Sequence, residues 1–409
     1  MRKTFIMGIS MLCAFAVQAQ EQVRVWKEGE SKRFTTSELL FSEDGTSFQV
    51  NDSTYSVTQI DSITVVHTVT VTFDGDTAYV DLGHAPNVTD TIQGANVKLI
   101  STDTKNELEF VLQGQSTHGS LYYDGPLKCK FYLNGLNLTS DQGAAIDIKC
   151  GKRVDFILNE GTDNFLADAA GGDQKAALYC KGHLEVSGGG SLTVTGNAKH
   201  GIATKEYMEI KKSTGNITVN KAVSDAMHIG QYFLMSGGTV TLSGQKGDGL
   251  QVEIMTDVTE SGDTIPSPDK EDNGLLFIRG GSLNITAAED LTRGIKAPLD
   301  MTVSGGTLRV EAKGDGTKGI SVTRDMLINQ DNNNTLIQVK VTGDTYEFED
   351  DDEELNVGIR CKGEFTANAG TVQVNNVQKV NYGIRLNWPK NRHIAADANV
   401  QANWSYTYK

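Results

Sequence analysis

Apolar and polar residues alternate over short segments of this chain, and the segments recur. A phrase of Gly, a small polar residue and then apolar, polar and apolar positions occurs six times, beginning at Gly190, Gly215, Gly238, Gly281, Gly306 and Gly370. Alternation with a period of two residues is typical of a strand with one buried face and one face in water. We therefore predict a short half-buried strand at each copy.

A second phrase, in most copies Gly followed by Ile or Leu, interleaves with the first. Its apolar residues, which we call the anchors, are Ile146, Leu178, Ile202, Met227, Leu250, Ile295, Ile320, Ile359 and Ile384. The regular intervals between consecutive anchors are 24, 25, 23, 25 and 25 residues. Such a period is typical of one coil of a parallel β-helix, whose coils stack at about 4.8 Å. The prediction is an all-β fold, a right-handed single-stranded parallel β-helix (solenoid) with capped ends, because no window keeps the 3.6-residue spacing of a helical repeat.

The first 19 residues have the features of a secretory signal peptide. Arg2 and Lys3 precede an apolar run at 5–17, and Val17 and Ala19 suit a cleavage site before Gln20. Cys13 lacks the preceding small residues of a lipoprotein signal, and no later segment reaches the roughly 18 to 20 apolar residues of a membrane span. We expect an exported protein, either periplasmic or on the cell surface.

The remaining chain divides by its patterning. Residues 20–67 fall outside the repeat and are predicted to form a leader or small β subdomain, whereas 68–409 are assigned to the β-helix. Residues 68–128 look like irregular first coils or a cap, and Trp388 and Trp404 are expected to close the last coil. The long intervals predict loops at 159–174, 253–272 and 343–354, which could frame a ligand site or could simply be charged surface loops.

Composition narrows the choice of partners. There are 37 Lys and Arg residues against 52 Asp and Glu, a net charge of −15. Nucleic acid is an unfavourable partner, because phosphate binding needs a basic footprint. Four cysteines would remain after signal cleavage, consistent with one disulfide or with buried thiols: Cys129, Cys150, Cys180 and Cys361.

Acidic residues precede several anchors and form the candidate metal site. Asp225 and Asp248 stand two residues before their anchors, and Asp290 and Asp315 stand five residues before theirs. Stacked coils would bring these carboxylates close together, and a bridging cation would relieve their repulsion. Calcium fits, since it takes six to eight oxygen ligands in a tolerant geometry. The alternative is that each Asp only stabilises a turn.

Other side chains are weaker candidates. His200 and His228 show no metal-ligand spacing and are interpreted as solvent-facing turn residues. Tyr207 and Tyr232, together with Phe233, could form a small aromatic platform for a sugar ring. No nucleophile elbow, phosphate loop or zinc signature is present in the sequence.

Several phrases resemble a family of secreted bacterial carbohydrate-binding domain proteins over residues 68–388. They are Phe73-Asp74-Gly75-Asp76, Leu133-Asn134-Gly135-Leu136, Asp163-Asn164-Phe165-Leu166-Ala167-Asp168 and the run from Ala176 to Val186. The resemblance implies a pectate-lyase-like fold, calcium, and binding of polygalacturonate without cleavage, with Asp225, Asp248, Asp290 and Asp315 as the matching acids. This chain departs from the family's common Asp-Gly-Ile phrase at His200-Gly201, Arg293-Gly294 and Lys318-Gly319. Arg293 and Lys318 are predicted to contact the ligand.

The sequence hypothesis is therefore a monomeric, exported, non-catalytic protein that binds an acidic polysaccharide with calcium. One alternative is a calcium-dependent polysaccharide lyase, in which Arg293, Arg360 or Arg385 would abstract a proton beside a uronate carboxylate. The other alternative is a structural or adhesive cell-surface protein that binds no glycan.

Overall fold

The structure is a computed structural model that describes residues 22–28, 30–35, 39–50, 53–331, 334–350, 352–376 and 382–408. The predicted signal peptide at 1–19 lies outside the described residues. The protein is all-β, with 57% of its residues in strands. The helices within the described ranges are two three-residue 3-10 helices, Val57–Gln59 and Pro389–Asn391, and neither is long or apolar enough to cross a membrane.

The chain divides after His67 into two compact units. In the first unit, Gln22–Lys27 pairs antiparallel with Glu30–Thr35 and with the start of Ser62–Asp74. A second antiparallel group consists of Leu39–Phe41, Ser47–Val50 and Ser53–Ser56. Val25, Phe48 and Val50 form a small buried core in this unit.

In the second unit, strands from successive repeats pair in parallel, so that equivalent positions of the sequence lie beside one another. One sheet, which we call the anchor sheet, carries every anchor. Ile146 pairs with Leu178, Leu178 with Ile202, and the register continues through each anchor to Ile384. Its strands are Val88–Gln93, Asn96–Ser101, Ser120–Asp124, Ile146–Ile148, Ala176–Cys180, His200–Thr204, Met227–Ile229, Leu250–Val252, Arg293–Ala297, Lys318–Val322, Val357–Cys361, Tyr382–Leu386 and Trp404–Tyr406.

The other strands of the coils form two further parallel columns within one connected sheet. Both columns grow from the long strands Leu108–Ser116 and Cys129–Thr139. One column contains Arg153–Leu158, His183–Ser187, Met208–Ile210, Phe233–Met235, Leu276–Ile278, Met301–Val303, Met326–Ile328, Phe365–Ala367 and Arg392–Ile394. The other contains Asp163–Ala167, Ser191–Thr195, Asn216–Lys221, Thr239–Leu242, Ser282–Ala287, Gly306–Ala312, Thr335–Val341, Gly370–Asn376 and Ala398–Gln401. All six copies of the glycine phrase lie in this last column, which explains their spacing.

The interior is a stack of apolar side chains that runs the length of the second unit. Phe110 and Phe131 stack with ring centroids 4.6 Å apart, and Phe156 continues the row at 6.4 Å. The anchors themselves are fully buried. Since burial of a large apolar side chain contributes roughly 1.5–3 kcal/mol, this repeated core is the main stabilising term.

The ends of the second unit differ from its middle. At the beginning, Ser62–Asp74 pairs antiparallel with Thr77–Asp81, and Val88–Gln93 pairs antiparallel with Asn96–Ser101. At the other end, the strand Trp404–Tyr406 continues the anchor sheet in parallel. The Trp404 ring packs edge-on against the Phe365 ring, with the ring centroids 5.5 Å apart, and covers the last turn of the core as predicted.

Two of the three predicted loops are insertions. Thr256–Val258 pairs with Thr264–Pro266 in the first, and Tyr346–Glu347 pairs with Glu353–Glu354 in the second. The third prediction was wrong, because 159–174 contains the regular strand Asp163–Ala167. The strand was not predicted because the inward side chain of Asn164 is polar and interrupts the apolar alternation. This polar side chain is satisfied in the interior, since its Oδ1 accepts the N–H of Leu136 and its Nδ2 donates to the carbonyl of Ser191.

The four cysteines of the second unit are buried thiols, and none of them forms a disulfide. This outcome selects one of the two alternatives that the sequence left open.

Candidate functional site

The residue after each anchor points away from the core, because side chains alternate along a strand. Parallel pairing places these residues in one line across the coils, which we call the outer row. It consists of Asp147, Tyr179, Ala203, His228, Gln251, Lys296, Ser321, Arg360 and Arg385, and it begins one coil earlier with Tyr122, which pairs with Asp147. The chemistry of the outer row changes along its length.

The first half of the outer row forms the floor of a groove. A cavity of about 620 Å³ is lined by Tyr122, Asp147 and Tyr179. A second cavity, of about 310 Å³, is lined by His228 and shares Tyr179 and Lys175 with the first. The ammonium group of Lys175 lies 5.4 Å from the centroid of the Tyr179 ring. The two cavities therefore adjoin and make one depression that follows the direction of stacking.

The second half of the outer row is cationic. Arg360 and Arg385 are neighbours in register, with Lys296 two coils earlier. Burial and the charge of Arg385 lower the pKa of Arg360. Among the residues that the structure describes, no carboxylate oxygen lies within 4.0 Å of either guanidinium group. Half-buried cations without a close counter-ion favour an anionic ligand.

The four predicted metal-binding acids lie in two separate hydrogen-bonded chains instead of one row. The Oδ1 atom of Asp225 accepts the backbone N–H of Asp248 at 2.9 Å, and Asp248 in turn accepts the N–H of Arg293 at 2.8 Å. In the other chain Asp290 accepts the N–H of Asp315 at 2.8 Å. Each of these carboxylates thus uses one of its two oxygens to accept a backbone N–H group of the next coil, which is a structural role.

The surroundings of the two chains differ. Asp225 and Asp248 are buried, and the guanidinium group of Arg293 lies 3.7 Å from Asp248. Burial raises the pKa of Asp248 even though Arg293 opposes the shift. Asp290 is exposed and Asp315 is half-buried. Neither chain gathers the six to eight oxygens of a complete calcium shell, so a calcium ion there would need further ligands.

Asp225 instead belongs to a compact cluster with two histidines. Its Oδ2 atom lies 3.3 Å from Nδ1 of His200 and 2.8 Å from Nδ1 of His228. Among the described residues, this is the only group of three His, Cys, Asp or Glu side chains whose ligand atoms all lie within 4.8 Å. The interpretation of the histidines as solvent-facing turn residues was wrong, because both lie on strands and His200 is only 4% exposed.

The two imidazoles of the cluster have pKa values shifted in opposite directions. Burial opposes the charge of His228, but its hydrogen bonds to Asp225 and Glu253 outweigh burial and raise its pKa to about 9. Burial and the charge of His228 lower the pKa of His200. One imidazole is therefore charged and the other neutral near pH 7.

Tyr207 and Tyr232 lie on a different surface, in the column that begins with Arg153–Leu158. Their rings stack 4.6 Å apart, and His183 stacks on Tyr207 at 4.1 Å. Each hydroxyl donates to a carboxylate, Tyr207 to Glu185 and Tyr232 to Glu209. The facing ring surfaces are covered by one another, so a sugar would meet mainly ring edges. Phe233, which completed the predicted platform, is fully buried in the core.

Arg293 and Lys318, the other predicted ligand contacts, occupy the same register position in neighbouring coils. The Arg293 side chain is 35% exposed and stands near Asp248. Lys318 is only 7% exposed, and its ammonium group contacts Glu354 of the second insertion and the carbonyl of Gly316. Lys318 would have to leave Glu354 before it could contact a ligand.

The sequence did contain a signal for the histidine cluster. His200 and Asp225 both stand two residues before an anchor, so they share one register position in adjacent coils, and His228 directly follows an anchor. The proximity of these three side chains cannot be predicted from their separation along the chain, but it can be predicted from their positions relative to the anchors.

Stacked parallel strands with a long groove and a cationic row define a class of protein suited to an extended polymer. The family of carbohydrate-binding domain-containing proteins matches residues 93–381, which is more than half of the chain. The chain belongs to this family.

One curated protein and one solved structure are similar to parts of this chain. A carbohydrate-binding domain-containing protein of Acetivibrio thermocellus is 29% identical over 146 residues, which is 32% of this chain and 50% of the relative. The matched region therefore spans about half the length of that curated relative. A solved structure of a polysaccharide lyase-like protein from C. thermocellum, a gadolinium derivative, covers 76% of this chain and 98% of its own, with 21% identity and a TM-score of 0.47.

Proposed function

We propose that this protein binds an acidic, pectin-like polysaccharide without cleaving it, as an exported monomer whose coils form a right-handed, pectate-lyase-like parallel β-helix. The observation that carries the proposal is the cationic half of the outer row, formed by Lys296, Arg360 and Arg385. Although the net charge of the chain is −15, three cations without a carboxylate oxygen within 4.0 Å among the described residues lie together on the face that also holds the groove. A polyanion is the ligand class for which this arrangement is favourable.

In this proposal the polysaccharide lies along the direction of stacking. Consecutive coils present their outer-row side chains at intervals of about 4.8 Å, the spacing of paired strands. Guanidinium groups can bind carboxylates in a bidentate manner, which fixes orientation as well as charge. Arg360 and Arg385 would hold uronate carboxylates, and the groove by Tyr179 would hold further sugar units.

Calcium is proposed as an assisting ion at the exposed chain of acids. Asp290 and Asp315 each use one oxygen for the neighbouring coil, which leaves the second oxygen of each carboxylate for a cation. Because two carboxylate oxygens do not complete a calcium shell, carboxylates of the glycan and water would supply the rest. Asp225 and Asp248 are less suited to calcium, because His228 and Arg293 already neutralise them.

A polysaccharide lyase is the second candidate, and Arg360 is the observation in its favour. A lyase needs a base beside the uronate, and Arg360 is the outer-row arginine whose pKa is lowered by burial and by Arg385. The two functions differ in product: cleavage by elimination generates an unsaturated uronate that absorbs in the ultraviolet, and binding alone generates none.

The test is a titration of the purified protein with polygalacturonate and with its fully methyl-esterified form. We expect binding to the free acid only, and a loss of about tenfold in affinity, or about 1.4 kcal/mol, for Arg360→Gln and for Arg385→Gln. Arg309→Gln is the matched control, since Arg309 lies in a different column and bonds to Gln338. Equal binding of both polymers, or equal affinity of the three variants, would contradict the proposal.

Three further readouts separate the remaining alternatives. Excess chelator should weaken binding if calcium assists, and Asp315→Asn should remove that sensitivity. Ultraviolet-absorbing product that disappears in Arg360→Gln would establish the lyase. A glycan array without any bound polysaccharide would favour a structural or adhesive surface protein.

A further inference from the structure

Two adjacent coils bring His200, Asp225 and His228 to one point on the face of the anchor sheet. The Nδ1 atoms of both histidines approach the same atom, Oδ2 of Asp225, at 3.3 and 2.8 Å. The imidazole rings stack with centroids 4.3 Å apart and planes inclined by 26°. Two nitrogens and one carboxylate oxygen from neighbouring coils thus converge, on side chains that are 4% exposed for His200, 9% for Asp225 and 22% for His228.

The three ligand atoms lie within 4.8 Å of one another, close enough to coordinate one small metal ion. Atoms that each lie about 2.0–2.1 Å from a tetrahedral zinc ion are roughly 3.3 Å from one another. The two measured nitrogen-to-oxygen separations, 3.3 and 2.8 Å, are close to that edge length. We infer that His200, Asp225 and His228 form a binding site for a divalent transition metal ion of the zinc type.

Glu253 supplies a second, independent feature of such a site. Its Oε2 atom lies 3.4 Å from Nε2 of His228, the ring nitrogen on the side away from Asp225. Histidines that bind metals commonly donate their other N–H group to a carboxylate, which fixes the tautomer and the ring orientation. Glu253 is therefore a positioning residue, and it lies at the start of the first insertion.

The site is also accessible. His200, His228 and Glu253 all line the cavity of about 310 Å³. Three protein ligands leave at least one coordination position of a zinc-type ion open, and here that position would face the groove. An oxygen of a ligand or of water could occupy it.

The donor atoms decide which metal is favoured. Imidazole nitrogens suit zinc, copper and nickel, whereas calcium takes oxygen ligands. The site is thus distinct from the calcium proposed at Asp290 and Asp315, and it does not depend on which polysaccharide is bound. The competing explanation is a protonated His228 held between Asp225 and Glu253, which would bind no metal.

The experiment is a zinc titration of the chelator-treated, metal-free protein against a chromophoric competitor, repeated with cobalt to record its visible absorption. We expect one ion per chain, no displacement by a large excess of calcium, and loss of the cobalt absorption in His228→Gln. Glu253→Gln should weaken zinc binding by about 10- to 100-fold, since it removes only the supporting carboxylate.

His118→Gln is the matched control, because His118 is exposed and lies outside the cluster. It should bind zinc like the unchanged protein. Circular dichroism of each variant verifies the fold, and Glu253→Gln keeps the test valid if His228→Gln fails to fold. Zinc binding that is equally tight in His228→Gln and Glu253→Gln, or an absence of binding in the unchanged protein, would overturn the inference.

Discussion

Gly319→Ala tests the stacking on which the outer row and the histidine cluster both depend. Gly319 directly precedes the anchor Ile320 in the anchor sheet. A methyl group at this position would lie 2.5 Å from Cγ1 of Val339 and 2.6 Å from the carbonyl oxygen of Gly358 in the next coil. Both separations are far below van der Waals contact, so either the coil or the side chain must move.

The expected cost is about 2 kcal/mol of the free energy of unfolding, within the roughly 1–3 kcal/mol typical of an overfilled interior. Val339 could change its rotamer, but the carbonyl oxygen of Gly358 belongs to the backbone and cannot withdraw without disturbing the pairing. Ala177 and Ala226 occupy the corresponding position in earlier coils, which shows that a methyl group can be accommodated where the surrounding coils are built for it. This precedent argues against a much larger effect.

Urea denaturation measures the difference, and Gly151→Ala is the matched control. A methyl group at Gly151 would meet no atom within 4 Å, and its backbone does not have a positive φ. We expect the control to change the stability by no more than about 0.5 kcal/mol. If Gly319→Ala unfolded at the same urea concentration as Gly151→Ala, the close approach of successive coils at the anchor sheet would be refuted.

Two further predictions concern ionisation and thiol chemistry. The pKa of His228 is raised from 6.5 to about 9 in the folded protein, so its contribution to the free energy of unfolding should be complete below pH 6.5 and should be lost as the pH rises through 9. Over that range the free energy of unfolding of the metal-free protein should fall by up to about 3 kcal/mol. In the same denaturation assay, His228→Gln should show a much smaller fall. The thiols of Cys129, Cys150, Cys180 and Cys361 are buried, so a thiol reagent should label none of them in the native protein and all four after unfolding; rapid native labelling of Cys150 would contradict its burial.

The regular part of the fold could be predicted from the sequence because its determinants are local. Alternating residues set which face of a strand is buried, and the glycine before an anchor leaves room for the next coil. Gly294 and Gly319 show this directly, since a methyl group on the first would lie 2.5 Å from the carbonyl oxygen of the second. The register of the anchors therefore followed from their spacing alone.

The candidate site was less predictable because its parts meet through position within the coil. Asp225 stands two residues before its anchor and Asp290 stands five before its own, so stacking assigns them to different hydrogen-bonded chains. Residue type alone groups these acids in one row, and that prediction was wrong. Asp163–Ala167 was missed for a related reason, since the inward Asn164 is satisfied by the backbone of two neighbouring coils.

The register position two residues before the anchors changes its charge along the stack. Successive coils place His200, Asp225, Asp248, Arg293 and Lys318 there, so the charge changes sign after Asp248. Asp248 marks the transition, because it accepts the N–H of Arg293 and lies 3.7 Å from the guanidinium group. Before it, imidazole and carboxylate groups provide the ligands of the proposed metal site. Beyond it, Lys318 contacts Glu354, and in the adjacent outer row Arg360 and Arg385 have no carboxylate oxygen within 4.0 Å among the described residues. An anionic polymer lying along the stack would therefore meet the proposed metal site at one end of this face and the cationic half of the outer row at the other end. Its two possible orientations along the stack would not be equivalent.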